Sequence, residues 1–217
     1  MLSLKRVASS VLRTRWSGFP LAFLALLTLV GCDRASVKWL EEVRLTDGHV
    51  IVAARTAQGK TYSELGGTGG WREPVEMSIS ISKAPDGFTF PPEWRDYYVP
   101  VLLDHNTETR TWSIVATFYY CETWYALDRP IPPYIEYQSV DGTAWRRVQL
   151  EERLVGRETN LLTGPSTKGE SSLVTMEVKE QSQRSAGRKY RHILRTWGFE
   201  EGNNCSPQQV KESNVAP

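Results

Sequence analysis

Residues 38–56 read KWLEEVRLTDGHVIVAART. Two apolar-rich runs flank Asp47-Gly48. A DG pair between such runs signals a β-hairpin with a type I′ turn, which needs positive φ at both central residues. A two-residue turn sets Leu45 opposite Val50 and Val43 opposite Val52. Trp39, Val43, Leu45 and Ala54 then share one face, and Glu42, Arg44, Ile51 and Arg55 take the other, because strand side chains alternate with period 2. This hairpin sets the expectation of an antiparallel β protein.

Downstream segments extend that expectation. Residues 57–73 carry five glycines and read as a loop, whereas VEMSISIS (75–82) alternates, with Val75, Met77, Ile79 and Ile81 turned inward. YYVPVLL (97–103) holds Pro100, which cannot donate to a ladder and so marks an edge or interrupted strand. TWSIVATFYYC (111–121) is apolar on both faces, as a central covered strand is. Residues 134–150 form a second hairpin about Asp141-Gly142, with Glu136 facing Arg147 across it. Strand signals fade after Leu150. Thr175 opens a helix through Met176, Lys179 and Gln183; Gly187 breaks it, and Tyr190, Ile193, Leu194 and Trp197 form a second short apolar face. The spacing predicts one mainly antiparallel β domain over 39–199, a sandwich or partly open barrel, with short helices near the C-terminus and a polar tail over 200–217.

The composition fits that class. The chain has 217 residues, 40% hydrophobic and 24% charged, which excludes a wholly disordered or collagen-like chain. Its net charge of +1 excludes a strongly basic nucleic-acid binder.

The N-terminus differs from the body. Lys5, Arg6, Arg13 and Arg15 are the only charges before Cys32, and FPLAFLALLTLV (19–30) follows them. A basic region, a 7–15-residue apolar core and small residues at the end describe a secretory signal peptide. The core is shorter than the roughly 20 apolar residues of a transmembrane helix. Leu29-Val30-Gly31-Cys32 resembles the lipobox of bacterial lipoproteins. The resemblance implies a signal peptide over 1–31, removed before Cys32, a diacylglyceryl thioether on Cys32, and acylation of its new amino group. Asp33 resembles the signal for retention in the inner membrane. Residues 32–38 then serve as lipid anchor and tether, spanning only about 20 Å beyond the lipid. Without the four leader cations the chain holds 22 basic and 25 acidic residues, a net of −3. That mild negative charge argues against electrostatic attachment to anionic lipid or nucleic acid.

Cys121 and Cys205 remain, an even pair in an exported protein, where disulfides persist. The expected arrangement is a Cys121–Cys205 bridge; the alternative is two free thiols. Their separation matches neither a CxxC redox motif nor zinc-ligand spacing.

Candidate chemistry is sparse. Glu41-Glu42, Glu151-Glu152 and Glu200-Glu201 are adjacent pairs, but strand neighbours point to opposite faces, so solvated acidic residues are expected. His49, His105 and His192 have no metal-binding spacing, and no serine lies in GxSxG or SxxK. GGTGG (66–70) lacks the pattern of a phosphate cradle. No cofactor and no metal is expected. The most suggestive feature is aromatic: Trp112, Phe118, Tyr119, Tyr120, Trp124 and Tyr125 lie close together, followed by RPIPPY. Buried, they are core rungs. Exposed, Trp112, Tyr120, Trp124 and Tyr125 stack on sugar rings or contact a partner.

Trp39, Glu41, Val43, Leu45, Asp47-Gly48 and Ile51, with PPYIEYQSVDGTAWRRVQLEE (132–152), resemble a group of uncharacterised bacterial lipoproteins. The group has no established activity, so it supplies no catalytic residue. The expected function is that of a non-enzymatic envelope lipoprotein, held at the membrane by lipid and acting through contacts with another envelope protein. Binding of cell-wall glycan through exposed aromatics is the alternative, and a hydrolase with a cryptic site the third reading.

Overall fold

Antiparallel pairing organises most of the chain into two sheets. The computed structural model describes residues 34–62, 70–119, 121–164, 173–185 and 190–196. The leader with Cys32 and Asp33, most of GGTGG, Tyr120, Gly187, Trp197, Cys205 and the 200–217 tail lie outside the described residues. The first sheet has the order β4-β3-β2-β1-β9, built from β1 (Arg34–Arg44), β2 (Val50–Tyr62), β3 (Gly70–Lys83), β4 (Trp94–Asp96) and β9 (Leu173–Val174). The second has the order β5-β6-β7-β8, from β5 (Val99–Asn106), β6 (Thr111–Thr117), β7 (Tyr134–Val140) and β8 (Arg146–Val148). Helix α1 spans Cys121–Tyr125 and α2 spans Met176–Ser185. The protein is mainly β, as expected, and the sheets do not close into a barrel. Strand β9 lies parallel to β1; the other strand pairs are antiparallel.

The first hairpin forms where the sequence predicts it, but one residue out of register. Val43 pairs with Ile51 and Arg44 with Val50. Leu45 N–H donates to His49 O at 2.8 Å and Gly48 N–H to Leu45 O at 3.0 Å, and Gly48 has φ +91°. This is a three-residue loop, a turn followed by a left-handed glycine, and not the two-residue type I′ loop. One residue of slip exchanges the faces of a strand. Ile51, Ala53 and Arg55 are therefore buried on β2, while Val50 is exposed. Glu41, expected in solvent, is buried as well.

Other boundaries shift. Strand β1 begins at Arg34, so Arg34–Lys38 are strand and not tether. The glycine-rich 57–73 segment is largely the end of β2 and the start of β3, with bulges after Gln58 and Lys60. Cys121 opens α1 and does not lie on a strand. Asp141 and Gly142 have φ +52° and +72°, and Thr143 N–H donates to Val140 O at 3.0 Å, the expected type I′ turn. Strand β8 nevertheless starts only at Arg146, which sets Glu136 opposite Val148 and Tyr137 opposite Arg147. Met77, Ile79 and the central strand β6 are buried as predicted, and β5 is a sheet edge with a bulge after Pro100. Helix α2 matches the predicted one. Residues 191–194 are not helical; His192 makes an isolated bridge with Glu158.

The chain after Leu150 completes the core. Leu154, Leu161, Leu162, Val174 and Ile193 are buried with residues of both sheets. Asn160 stands in for a strand beside β5: its Oδ1 accepts from Leu103 N–H (2.9 Å), and its Nδ2 donates to Leu103 O (2.7 Å) and Arg44 O (2.9 Å). Glu41 and Arg55 form a fully buried ion pair. Leu162 N–H donates to Glu41 Oε2 at 3.0 Å, and Lys179 Nζ of α2 lies 3.5 Å from that oxygen. Burial depresses the Arg55 and Lys179 pKa values, with Glu41 working in the opposite direction. Glu42 Oε2 accepts from Met176 N–H at 2.9 Å, satisfying a donor at the start of α2.

Candidate functional site

Three turns meet to form a cleft of about 270 Å³. The β1–β2 turn brings His49, the 84–90 loop brings Asp86 and Phe88, and the end of β5 with the turn after it brings His105, Thr107 and Arg110. Two of the three histidines singled out in the sequence thus converge, although they lie 56 positions apart. His192 is elsewhere.

Each wall is braced. Asp104 accepts from Thr46 N–H (2.9 Å), Thr46 Oγ1 (2.5 Å) and Arg157 NH1 (2.9 Å), fastening the first turn to β5. Burial works to raise the Asp104 pKa, but the Thr46 hydrogen bonds and the Arg157 guanidinium hold it below its ordinary value. Trp112 Nε1 donates to Thr89 O at 2.8 Å, fixing the 84–90 loop. A Cβ at Gly142 would lie 2.8 Å from Thr89 Cγ2, so that loop also rests against the second hairpin turn. Asn106 Oδ1 accepts from the N–H groups of Glu108 and Thr109. Arg110 takes φ +50°, uncommon for a residue with a Cβ, and its Nε lies 2.6 Å from Asp141 Oδ1.

A ladder of rings forms the floor. His105 lies against Trp112 (centroids 4.5 Å) and Phe88 (4.9 Å), and His49 meets Phe88 edge-on at 5.6 Å. His105 is nine-tenths buried, and its Nδ1 has no hydrogen-bond partner among the described residues. Burial lowers its pKa, partly opposed by Asp47 and Asp104. His49 is half-exposed, with Nδ1 3.0 Å from Asp47 Oδ2. That contact engages Nδ1 and leaves Nε2 as the ring's other polar atom. No serine or cysteine is among the described lining residues. The described residues also contain no cluster of three or more His, Cys, Asp or Glu side chains able to hold a metal.

The predicted aromatic site takes a different form. Trp112 is fully buried, and Trp124 is buried with its Nε1 donating to Pro130 O at 3.2 Å. Tyr125 is half-buried under the Arg129 guanidinium, 4.9 Å from its centroid. Core packing claims the two tryptophans, so neither offers a stacking face. Tyr120 and Cys205 lie outside the described residues. Of the glutamate pairs, Glu41 is buried with Arg55, whereas Glu151 and Glu152 meet Arg153 and Arg195.

A second concavity, about 300 Å³, runs between the 127–135 segment and β8. Leu127, Ile131, Ile135 and Leu150 make it apolar, and Arg147 supplies its charge. Ile131 is 72% exposed, large for an aliphatic side chain. Arg147 lies 4.0 Å from Asp96, which also accepts from Tyr137 Oη at 2.7 Å; burial and that bond push the tyrosine pKa far up.

Sequence reasoning missed Asp86, Phe88 and Arg110. Pro85-Asp86-Gly87 is a turn signal for the loop of Asp86 and Phe88, and Arg110 lies in the turn between β5 and β6, but nothing in the sequence joins either to His49. No helix among the described residues is long and apolar enough to cross a membrane. Comparison with known protein families, with curated proteins and with solved structures found no match to this chain.

Proposed function

We propose that this chain is an envelope lipoprotein, anchored through lipid on Cys32, that acts by binding another envelope protein and not by catalysis. The observation that carries the reading is the leader, a basic region and an apolar core ending in Leu29-Val30-Gly31-Cys32. The start of β1 at Arg34 supports it, because two residues span only about 7 Å and hold the folded body against the bilayer. The groove beside Ile131 supports the protein-contact part, because Leu127, Ile131, Ile135 and Leu150 line one concavity, and contiguous apolar surface is what marks interaction sites. Asp33 favours the inner membrane. A Cys121–Cys205 bridge would tie the C-terminal stretch to the start of α1.

The experiment is intact mass of the membrane-extracted protein, wild type beside Cys32→Ala, with and without reductant. A lipid-sized increment on a chain starting at Cys32, absent from the variant, is the expected result. A two-dalton deficit restored by reductant reports the bridge. An unmodified mass starting elsewhere overturns the anchor. Crosslinking in membranes from a photoreactive residue at Ile131 then tests the contact: a repeated adduct with one envelope protein is expected, and its absence overturns the partner reading.

A further inference from the structure

We propose that the cleft between His49, Phe88, His105 and Arg110 binds a single neutral sugar ring or a cyclic polyol of that size. This does not rest on the lipid anchor or on the Ile131 groove. It moves the site of saccharide recognition from the 112–125 aromatics, whose tryptophans are buried, to the three turns at one end of the sheets.

About 270 Å³ lies at the small end of ligand clefts, near 300 Å³, and takes one ring and not a chain of them. A sugar hydroxyl both donates and accepts, so its site needs both functions close together. Asp86 only accepts and Arg110 only donates, Thr107 supplies either function, and Nε2 of His49 accepts while its Nδ1–H faces Asp47. Arg110 meets Asp141 through Nε, which leaves its terminal nitrogens for a ligand. Asp86 makes no hydrogen bond or ion pair with the described residues. The two side chains are of opposite sign, so the cleft favours neither an anion nor a cation. The other nearby carboxylates are engaged, Asp47 with His49 and Asp104 with Thr46 and Arg157.

The cleft also offers flat surface on rigid walls. The CH face of a sugar ring packs on flat side chains, and the half-buried Phe88 and half-exposed His49 present such surface at the cleft. His105 adds a nine-tenths buried imidazole whose Nδ1 has no partner among the described residues. The bracing by Asp104, Trp112 and Asp141 holds the walls before a ligand arrives, which limits the ordering cost of binding. Positive φ at Arg110 is a further local cost that the Asp141 contact sustains at this lip of the cleft.

The test is ligand-observed saturation-transfer NMR on the full chain in a detergent without sugar groups. The probes are methyl glucoside and N-acetylglucosamine, with inorganic phosphate as competitor. The expected result is saturation of sugar ring protons by wild type, unaffected by phosphate. Asp86→Ala, an exposed change that leaves the fold in place, weakens binding by about tenfold, as loss of a charged hydrogen-bond partner does. Ile131→Asp leaves it unchanged, which separates this site from the protein-contact groove. No transfer from either sugar overturns the proposal. So does competition by phosphate, which would make this an anion site, or binding that survives both Asp86→Ala and Arg110→Ala.

Discussion

Replacing Glu41 by alanine tests the reading of the buried ion pair. Glu41 has no exposed side-chain surface, and its carboxylate serves Arg55, Lys179 and the Leu162 N–H. Removal leaves two buried cations without their counter-ion and one buried N–H without an acceptor. Breaking a buried pair from one side costs about 3–5 kcal/mol. At about 2–4 °C per kcal/mol for a domain of this size, the melting temperature falls by about 6–20 °C. The assay is urea unfolding of the full chain in detergent, followed by tryptophan fluorescence, reading the midpoint at unchanged slope. The companion is the double change Glu41→Leu with Arg55→Met. It removes both members of the pair and is expected to be less destabilising than Glu41→Ala, because only Lys179, and not Arg55 as well, then loses its counter-ion. A loss below about 1 kcal/mol for Glu41→Ala, or a double variant weaker than the single, refutes the argument.

Three other outcomes are expected. Asn160→Ala removes the side-chain mimic of a strand and leaves the buried Leu103 N–H unpaired; unfolding shows a loss of about 2–3 kcal/mol, and Asn160→Asp is also weakened because it cannot donate to Leu103 O. Gly142→Ala drives a methyl group to 2.8 Å from Thr89 Cγ2 at φ +72° and costs about 2 kcal/mol, whereas Gly87→Ala carries the backbone strain of φ +96° without a clash and costs less in the same melts. The pKa of His105 is lowered in the fold, so the unfolded chain takes up a proton first as pH falls below about 6.5. Stability therefore declines from neutral pH toward the folded value and levels off beneath it; His105→Phe flattens that part of the curve in melts across pH 7.5 to 5.

The architecture was legible where side-chain period and turn chemistry act locally. Asp47-Gly48 placed the first hairpin, and TWSIVAT announced a strand covered on both faces. A DG pair, however, suits both a two-residue and a three-residue loop. That single residue turned Arg55 and Ile51 inward against expectation. Charged residues on β1 and β2 read as solvent-facing because nothing local reveals a counter-ion arriving from Lys179, 138 positions after Glu41. The irregular segment after Leu150 shows no period at all, yet Leu154, Leu161 and Ile193 are wholly buried. Aromatic density located Trp112 and Trp124, but their burial depends on what lies over them. The cleft was the least legible feature. His49 and His105 were noted separately, and only the tertiary bracing by Asp104 and Trp112 brings them to Phe88.

The late arrival of the C-terminal segment has a consequence for how the chain is handled while it is made. Leu154, Leu161, Leu162, Val174 and Ile193 fill the core, and Leu173–Val174 pair with β1 near the beginning of the described chain. The partner that buries Glu41 is likewise supplied from α2. A nascent chain halted before residue 150 has both hairpins available but lacks these pieces of its core. Domains commonly fold during synthesis as soon as their parts are complete. Here the core is complete only once residues 154–193 are present, so that stretch sets when the described body can close.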